Sequence, residues 1–444
     1  MSDGLGGSIH VGPGKLKGTV RAPASKSFAH RALICAALAS AEGSSLLTNV
    51  DMSKDIQATM DCLSVLGFKV GIGDKLTAPG DSSIVNDRTI SVEQGYSPYG
   101  SDSSVGSTAS DAVTLNCGES GSTLRFMIPL AAALGKNSIF TGEGRLPSRP
   151  IGEFNSIFHH KGIEVESTSG MLPLKISGQM QSGTFHVSGN ISSQYITGLL
   201  LALPILEGDS EVKLLTPLES APYIDITIEV MAAFGVVVEK SENGFFVKGS
   251  QKYRPCEFEI ESDYSQAAFW LTANYLSGDV VVNGLNTKSV QGDKAVVDVL
   301  KQLARGANDT TQERTIDASQ IPDLVPILAA AAALTQGTTS IINAGRLRIK
   351  ESDRLASVTE VLTKIGADIK EFPDKLIIQG KDVLRGGHTR AWNDHRIAMM
   401  LAVVALRTKN GVTIDGYKCV AKSYPAFFKE FARLGGDLNE LNLG

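Results

Sequence analysis

One pattern occurs six times in the 444-residue chain and limits the folds available to it. Each copy has a polar opening, an apolar helical run rich in Ala or Leu, a glycine near its end, and a strand-like segment. The first copy is PASKSFAHRALICAALASAEG followed by SSLLTNV, and the others are SGSTLRFMIPLAAALGKNSIFTG, SSQYITGLLLALPILEGDSEVKLL, DYSQAAFWLTANYLSGDVVVNG, PDLVPILAAAAALTQGTTSIINAG and DHRIAMMLAVVALRTKNGVTIDG. Repetition of one supersecondary unit indicates a repeat architecture.

A second, amphipathic element also recurs. It is a helix that ends in Leu or Phe and Gly before alternating Val or Ile residues, as in MDCLSVLGFKV, FNSIFHHKGIEVE, IEVMAAFGVVVE, VTEVLTKIGADIKE and FFKEFARLGGDL, with VVDVLKQLARGAND as an imperfect sixth copy. The glycine is the expected C-terminal stop of the helix, and the alternation predicts a strand with one solvated face. We therefore predict an α/β fold of six units, three in each of two domains.

The apolar helices carry the functional prediction. Helices that are apolar on nearly all faces belong inside a domain. Their first turns expose unpaired N–H groups and a partial positive charge, which bind anions. Six such helix starts, several of them carrying Ser, Lys, Arg or Asp, indicate a site for polyanions.

The domain boundaries are predicted where a strand-like run meets the next polar helix start. These points are Ala22-Pro23 and the segment from Lys252 to Glu261. We expect residues 1–22 and 258–444 to form one domain and residues 23–257 the other, with the active site in the cleft between them. Between Gly71 and Asn116 the first repeat carries an excess rich in Ser, Gly and Asp, especially SPYGSDSSVGSTASDA (residues 97–112), which is predicted to be a surface hairpin or mobile loop.

Charge and cysteine usage exclude several classes of protein. A net charge of −5 argues against a general nucleic-acid surface, so any cationic cluster must be local. The five cysteines are scattered and show no metal-binding spacing, which fits reduced thiols. The start of the chain shows no targeting pattern, and the apolar helices fall short of the roughly 20 residues of a membrane span. We expect a cytoplasmic protein without a membrane segment.

Candidate ligand contacts in the first half of the chain lie at helix starts. Lys26 and Ser27 precede Arg31 by about one helical turn, and NCGESGSTLRF places Gly121 among hydroxyl residues as a phosphate-binding loop would. Arg149 lies beside a proline. The neutral hydrogen-bonding residues are Ser192, Ser193, Gln194, Ser220 and Tyr223. Ordinary helix caps, a tight turn and a surface arginine are the alternative interpretations.

Candidate residues in the second half are more densely charged. RLRIKESDRL contains Arg348, Lys350, Glu351 and Arg354 before an amphipathic helix, and DHR opens another helix. Asp323 at the fifth helix start is either a cap or a general base. A solvated charge run is the alternative. The cations near the repeat starts are Lys26, Arg31, Arg125, Arg149, Arg348, Lys350, Arg354, Arg396 and Lys422, and such a cluster requires neutralising anions.

The motifs resemble the 5-enolpyruvylshikimate-3-phosphate synthase family. KSFAHR, CGESGSTLR, LPSRPIG, SSQ, SAPYIDIT, IPD, LRIKESDR, NDHR and KSYPAFF follow the family pattern in order, from about Gly14 to Leu434. The resemblance implies a two-domain inside-out α/β barrel with six βαβαββ-type repeats. It also implies transfer of the enolpyruvyl group of phosphoenolpyruvate to the 5-hydroxyl of shikimate 3-phosphate, with release of phosphate, in chorismate and aromatic amino-acid biosynthesis.

The resemblance implies a role for each matching residue. The expected shikimate 3-phosphate contacts are Lys26, Ser27, Arg31, Ser192, Ser193, Gln194, Ser220, Tyr223, Asp323 and Lys350. The expected phosphoenolpyruvate contacts are Lys26, Gly121, Arg149, Gln194, Arg354, Arg396 and Lys422. Asp323 would accept the 5-hydroxyl proton, and Glu351 with Lys26 would protonate the enol methylene and later take the proton back. No cofactor, metal or nucleic acid is expected, and the protein is expected to be a monomer.

Two residues depart from the family pattern. Glu119 stands where Asn is usual, so its carboxylate must turn away from the ligand or pair with an arginine, and Ala221 replaces a common basic residue. Gly121 stands where phosphoenolpyruvate needs room, so we expect inhibition by glyphosate. The related transferase acting on UDP-N-acetylglucosamine is the closest alternative, although its loop cysteine is missing here. A non-catalytic anion-binding protein or an enzyme of RNA phosphate ends is the alternative from another class.

Overall fold

The computed structural model describes residues 7–74, 88–95, 112–305, 307 and 309–441. These residues form two compact units. The terminal unit holds the described residues up to Pro23 and from Ser262 onward, and the central unit holds those from Ala24 to Glu261. The predicted domain boundaries, 22/23 and 257/258, stay predictions. The stretch 97–112 lies outside the described residues except for Ala112.

Helices and strands alternate through both units. The α-helices of the described residues are α1 (Lys26–Ala39), α2 (Lys54–Val65), α3 (Gly121–Ala133), α4 (Glu153–Ile157), α5 (Ser193–Ala202), α6 (Ala221–Ala233), α7 (Tyr264–Ser277), α8 (Val296–Ala304), α9 (Val325–Ala333), α10 (Arg354–Lys364), α11 (His395–Ala405) and α12 (Phe427–Arg433). The strands are β1 (Ser8–Val11), β2 (Lys17–Arg21), β3 (Ser45–Val50), β4 (Lys69–Asp74), β5 (Arg88–Glu93), β6 (Val113–Asn116), β7 (Ser138–Thr141), β8 (Ile163–Thr168), β9 (Met171–Gly178), β10 (Gly183–Val187), β11 (Ser210–Leu214), β12 (Val238–Ser241), β13 (Gly244–Val247), β14 (Glu257–Glu259), β15 (Asp279–Asn283), β16 (Glu313–Asp317), β17 (Thr338–Ile342), β18 (Asp368–Glu371), β19 (Leu376–Gln379), β20 (Gly387–Arg390), β21 (Val412–Asp415) and β22 (Leu438–Leu441).

The described residues of the central unit form three four-stranded sheets of one design. Their strand orders are β14-β3-β5-β4, β6-β7-β9-β8 and β10-β11-β13-β12. In each sheet the first two strands are parallel, and the others pair antiparallel. An apolar helix makes the crossover between the parallel strands of the second and third sheets, as such pairs require: α3 joins β6 to β7, and α5 joins β10 to β11. Strand β14, late in the chain, supplies the first strand of the first sheet.

The terminal unit repeats this design with strands from both ends of its sequence. Its sheets have the orders β16-β17-β19-β18, β20-β21-β1-β22 and β15-β2. Strand β1 pairs antiparallel with both β21 and β22, so the start of the chain completes the sixth sheet. Strand β2 is the parallel partner of β15. The predicted α/β repeat fold is confirmed.

The fourth unit is shorter than predicted. Its sheet has two strands, and the described residues between α8 and β16 form no strand. The reason is local, because the segment ARGANDTTQ after α8 is polar and lacks the Val/Ile alternation that follows the other amphipathic helices. Among the described residues this unit therefore lacks the two closing strands of the βαβαββ pattern.

The repeated apolar helices are the cores of both units. In the terminal unit α7, α9 and α11 pack against one another, and α9 is buried along its whole length. Four of these six helices start with a side-chain cap: Asp263 and Asp394 accept N–H bonds at α7 and α11, as Ser120 and Ser192 do at α3 and α5, whereas α1 and α9 have none among the described residues. The predicted glycine stops have positive φ at Gly67, Gly162, Gly235, Gly366 and Gly435, a conformation that costs other residues strain.

Candidate active site

The central unit places two buried guanidinium groups against Gly121. A Cβ atom built on Gly121 would lie 2.7 Å from Nη1 of Arg149 and 3.0 Å from Nη1 of Arg125. Arg149 is 6% exposed and Arg125 3% exposed. Gly121 is also the first residue of α3, where the helix dipole adds positive charge. Two desolvated cations at a helix start favour a bound anion.

Gln194 connects this arginine pair to the start of α5. Its Oε1 accepts a bond from Nη1 of Arg125 at 3.4 Å, and its Nε2 donates to Oγ of Ser122 at 2.9 Å. Arg125 also donates to the carbonyl of Pro150 at 3.3 Å. Arg125 is therefore a structural neighbour of the predicted contacts Gly121, Arg149 and Gln194, which the fold brings together.

Arg31 is a buried anchor with little donor capacity to spare. Its Nε donates to Thr227 at 2.8 Å, and Nη1 donates to the carbonyl of Ser27 at 2.7 Å. Nη2 donates to Thr197 at 3.2 Å and to the carbonyl of Tyr223 at 3.0 Å. Because a guanidinium has five N–H groups, these bonds leave one on Nη1 for a ligand. Arg31 thus ties α1 to α5 and α6 beside the predicted Ser27 and Tyr223.

Lys26 has a carboxylate partner that the sequence did not reveal. Its Nζ donates to Oδ2 of Asp55, on α2, at 2.6 Å, and the two side chains are 22% and 14% exposed. The two residues are far apart in sequence, so no local pattern could have paired them. Asp55 holds the ammonium group in place at the start of α1.

The predicted serines differ in their local roles. Ser192 caps α5 by accepting from the N–H of Gln194 at 3.3 Å, so capping explains it in part. Ser193 is 6% exposed in the first turn of α5. Ser220 has φ 55° and makes no cap hydrogen bond at α6, although it is 3% exposed. Helix capping therefore does not explain Ser220, which stays a predicted ligand contact.

The two departures from the family pattern now have positions. The Glu119 carboxylate lies against Gly144, where a built Cβ atom would contact it. Ala221 is the first residue of α6 and adds no charge there. Cys117 is buried, and its hydrogen bond with Cys62 together with burial raises the pKa of its thiol, as expected of an inert cysteine.

The terminal unit holds a dense ionic cluster around Arg354. This side chain is 2% exposed and contacts three carboxylates: Asp323 at 2.9 Å, Glu351 at 2.8 Å and Asp394 at 2.9 Å. Burial opposes its charge, but these carboxylates raise the pKa of Arg354 above its usual range. The predicted Asp323, Glu351 and Arg354 therefore lie together.

Asp323 is surrounded by cations on a short 3-10 helix, Pro322–Leu324. Besides Arg354, Nη2 of Arg396 lies 3.0 Å and Nζ of Lys350 lies 3.7 Å from its carboxylate. Burial favours the neutral acid, yet Arg396, Lys350 and Arg354 hold the pKa of Asp323 well below its usual range. It is ionised at neutral pH, as a general base must be.

Lys350 and Lys422 complete the cationic side of this cluster. Burial lowers the pKa of Lys350 to about 8, against the opposing charges of Asp323 and Glu351. Lys422 is 5% exposed and donates to the carbonyl of Asn393 at 2.7 Å. Lys350 thus lies beside Asp323, and Lys422 lies next to the start of α11.

Arg348 does not belong with the other cations, which corrects one expectation. It pairs with Asp353 at 3.0 Å and Glu371 at 2.7 Å, and it donates to the carbonyls of Phe372 and Pro373. The sequence pattern at the repeat starts cannot show which basic residues are already neutralised by carboxylates of the protein itself. Arg348 holds Asp353, the N-cap of α10.

Sequence reasoning missed two buried acids near the cluster. Asp394 appeared as part of DHR without a role, and it binds Arg354 and accepts from Ser352 at 3.0 Å. Asp293 is 5% exposed on the 3-10 helix Gly292–Ala295. Burial and the charge of Asp323 raise the pKa of Asp293 to about 7, while Arg396 opposes the shift.

Within the described residues, no helix has the length and apolar character needed to cross a membrane.

Comparison with known proteins identifies relatives over almost the whole chain. The family model described as EPSP synthase (3-phosphoshikimate 1-carboxyvinyltransferase) matches residues 11–431. The 3-phosphoshikimate 1-carboxyvinyltransferase of Clostridium kluyveri is 44% identical over 448 residues, covering 98% of this chain and 99% of that protein. The protein of the same name from Clostridioides difficile is 40% identical over 451 residues and covers 99% of this chain and 100% of its own.

Solved structures agree with the sequence relatives. EPSP synthase from Acinetobacter baumannii superposes with a TM-score of 0.76 at 26% identity, covering 98% of this chain and 100% of that one. The enolpyruvyl transferase NikO from Streptomyces tendae superposes with a TM-score of 0.72 at 16% identity, covering 99% of each chain, which is a likeness of fold alone.

Proposed function

Because the chain belongs to the EPSP synthase family, we propose that it transfers the enolpyruvyl group of phosphoenolpyruvate to the 5-hydroxyl of shikimate 3-phosphate, releasing phosphate. The observation that carries the proposal is the cluster around Arg354, where Asp323 and Glu351 lie among buried cations. Two carboxylates can move protons while the cations hold anionic groups. A site that only bound anions would gain nothing from these two carboxylates.

The proposed substrate contacts come from both units. Phosphoenolpyruvate carries a phosphate and a carboxylate, which Arg and Lys bind through charge-assisted hydrogen bonds. Its proposed contacts are Lys26, Gly121, Arg149, Gln194, Arg354, Arg396 and Lys422. The proposed shikimate 3-phosphate contacts are Lys26, Ser27, Arg31, Ser192, Ser193, Gln194, Ser220, Tyr223, Asp323 and Lys350. We propose that these residues act on one pair of substrates in a monomer.

The proposed reaction is an addition followed by an elimination. Asp323 accepts the 5-hydroxyl proton as that oxygen bonds to C2 of phosphoenolpyruvate, and Glu351 with Lys26 supplies a proton to the methylene carbon. The product of this step is a tetrahedral ketal with a methyl group. The methyl group then returns a proton to the pair Glu351 and Lys26 as the bond from C2 to the phosphate oxygen breaks. Cations stabilise the departing phosphate.

The basicity of Asp323 depends on its neighbours in this scheme. Its ion pairs with Arg354, Arg396 and Lys350 make it a weak base. An anionic substrate that takes donors from these cations weakens their pull on Asp323, so its affinity for a proton rises when the substrate is bound. Substrate binding and proton transfer are thereby coupled.

The experiment that tests the proposal measures phosphate release from phosphoenolpyruvate with two acceptors. Release with shikimate 3-phosphate and not with UDP-N-acetylglucosamine supports it, whereas the opposite preference assigns the chain to the related transferase reaction. Release with neither acceptor returns the function to anion binding. The Asp323→Ala variant separates binding from catalysis, because it should still bind both substrates, measured by calorimetry, without turnover.

A further inference from the structure

A chain of buried hydroxyl groups connects the first three helices of the central unit. Nδ1 of His30 on α1 lies 2.7 Å from Oγ1 of Thr59 on α2, and Thr59 lies 2.7 Å from Oγ1 of Thr123 on α3. Thr123 in turn donates to Oγ of Ser120 at 2.8 Å. All four side chains are at most 1% exposed. Three hydrogen bonds of this length without solvent are a rigid connection.

This chain of hydrogen bonds ends at the residue just before Gly121, where the proposed anion site lies. Ser120 is the N-cap of α3, and its Oγ also accepts from the N–H of Thr123 at 3.1 Å. The next residue is Gly121, which lies against the guanidinium of Arg149. At its other end, His30 follows Lys26 by one helical turn on α1. The chain thus joins the two helix starts that carry proposed phosphoenolpyruvate contacts.

The direction of the hydrogen bonds follows from the number of protons. Each hydroxyl donates once, so if Thr123 donates to Ser120, Thr59 must donate to Thr123. Nδ1 of His30 then donates to Thr59. The reverse direction would place an N–H on Nε2, which is buried and has no hydrogen-bond partner among the described residues. In the direction set by Thr123, Nε2 instead carries a bare lone pair, and the imidazole keeps its single N–H for Thr59.

The state of the imidazole agrees with this direction. Burial, followed by the charges of Lys26 and Arg31, holds the pKa of His30 well below its usual range. The ring is therefore neutral and has a single N–H, and it meets the Phe126 ring of α3 edge to face at 6.4 Å. Both threonines also approach the carbonyl of Asp55, the partner of Lys26, at 3.4 Å, which is a weaker contact.

We propose that Thr59 and Thr123 are positioning residues that hold the Ser120–Gly121 turn against α1 and so set the geometry of the anion site at Gly121. This inference rests on the proposed function for the identity of the anion. Replacing either hydroxyl with a methyl group leaves a buried donor or acceptor without its partner, and the helix start must shift to satisfy it. A shift of that kind displaces Gly121 relative to Arg149.

The test compares Thr59→Val and Thr123→Val with two controls. Thr59→Ser keeps the hydroxyl group, and Thr272→Val removes a buried hydroxyl that has no hydrogen-bond partner among the described residues. We expect both valine variants to raise KM for phosphoenolpyruvate about 5- to 30-fold and KM for shikimate 3-phosphate much less, with kcat nearly unchanged. The controls should match the unmodified protein. A lower Tm with an unchanged KM would overturn the proposal, because the hydrogen bonds from His30 to Ser120 would then only stabilise the fold.

Two further measurements separate this inference from the proposed function. The dissociation constant for inorganic phosphate, measured by calorimetry, needs no turnover and should rise in both valine variants. If the dissociation constant rises in the valine variants but the unmodified protein shows no turnover, the result contradicts the proposed function and supports the positioning role. If the unmodified protein does not bind phosphate, the positioning role is overturned. Nitrogen NMR of His30, assigned with a His30→Asn variant, should show a proton on Nδ1 and a bare Nε2. A proton on Nε2 would overturn the hydrogen-bond chain itself.

Discussion

The replacement of Gly121 by alanine tests the geometry of the anion site. The new methyl group would lie 2.7 Å from Nη1 and 3.1 Å from Cζ of Arg149, and 3.0 Å from Nη1 of Arg125. Ordinary contacts begin near 3.4 Å, so the Arg149 guanidinium must move by about 0.7 Å. Both arginines are buried, which limits where they can go. The group that is displaced is the one proposed to bind phosphoenolpyruvate.

The size of the effect follows from what a misplaced guanidinium loses. A hydrogen bond to a charged group contributes about 1.5–3 kcal/mol, and a displacement near 1 Å costs up to about 100-fold. We expect Gly121→Ala to raise KM for phosphoenolpyruvate about 10- to 100-fold, with a smaller change in kcat. Steady-state kinetics at saturating shikimate 3-phosphate measures both constants.

Gly152→Ala is the matched control, because it lies in the same unit near Arg149. Its φ is −61°, and among the described residues other than its chain neighbours a Cβ atom there would approach the Cα atom of Gly170 alone, at 3.7 Å. This variant should keep the KM of the unmodified protein. If Gly121→Ala also kept that KM while remaining folded, the placement of Arg149 as a phosphoenolpyruvate contact would be refuted.

Three further predictions concern ionisation and inhibition. Because the pKa of Lys350 is about 8, kcat/KM for shikimate 3-phosphate should fall as pH rises through that value, and Lys350→Arg should move the fall to higher pH; an unchanged profile would exclude Lys350 as its cause. Asp293 has a folded-state pKa of about 7, above its ordinary 3.8, so the stability that its proton contributes is complete below pH 3.8 and is lost as pH rises through 7. Asp293→Asn should therefore be more stable than the unmodified protein at pH 8, by up to about 4 kcal/mol, with a difference in Tm that shrinks toward pH 4; a pH-independent difference would contradict this. Glyphosate should inhibit the protein, since Gly121 leaves the room that phosphoenolpyruvate needs, and full activity at millimolar glyphosate would show that this expectation is wrong.

Much of the fold could be predicted because its signals are local. The apolar runs, their glycine stops and the following alternation mark helices and strands within a few residues, and the structure has them in that order. The truncated fourth unit was also visible in principle, because ARGANDTTQ lacks the alternation. The strand pairings of β1, β2 and β14 depend on contacts across hundreds of residues. Repeat logic suggests such pairings but does not determine their register.

The site, like the fold, has parts that the sequence predicts and parts that it does not. Motif resemblance pointed to Asp323, Glu351 and Arg354, which do lie together. It could not show which cations are already neutralised by carboxylates of the protein itself, because Asp55 lies on a different helix from Lys26, and Glu371, the partner of Arg348, lies on β18. Nor could it reveal the hydroxyl chain from His30 to Ser120. Ion pairs and hydrogen bonds between distant segments leave no periodic trace in a sequence.

The most direct test of the proposed reaction runs it in deuterium oxide and analyses the product by mass spectrometry. With phosphoenolpyruvate and shikimate 3-phosphate, we expect a product that has gained one enolpyruvyl group and carries deuterium on its vinyl carbon. The ketal intermediate has a methyl group in which solvent deuterium and the original hydrogens become equivalent before one of them is lost. A product without deuterium would contradict addition followed by elimination, and no enolpyruvyl product at all would contradict the proposed function.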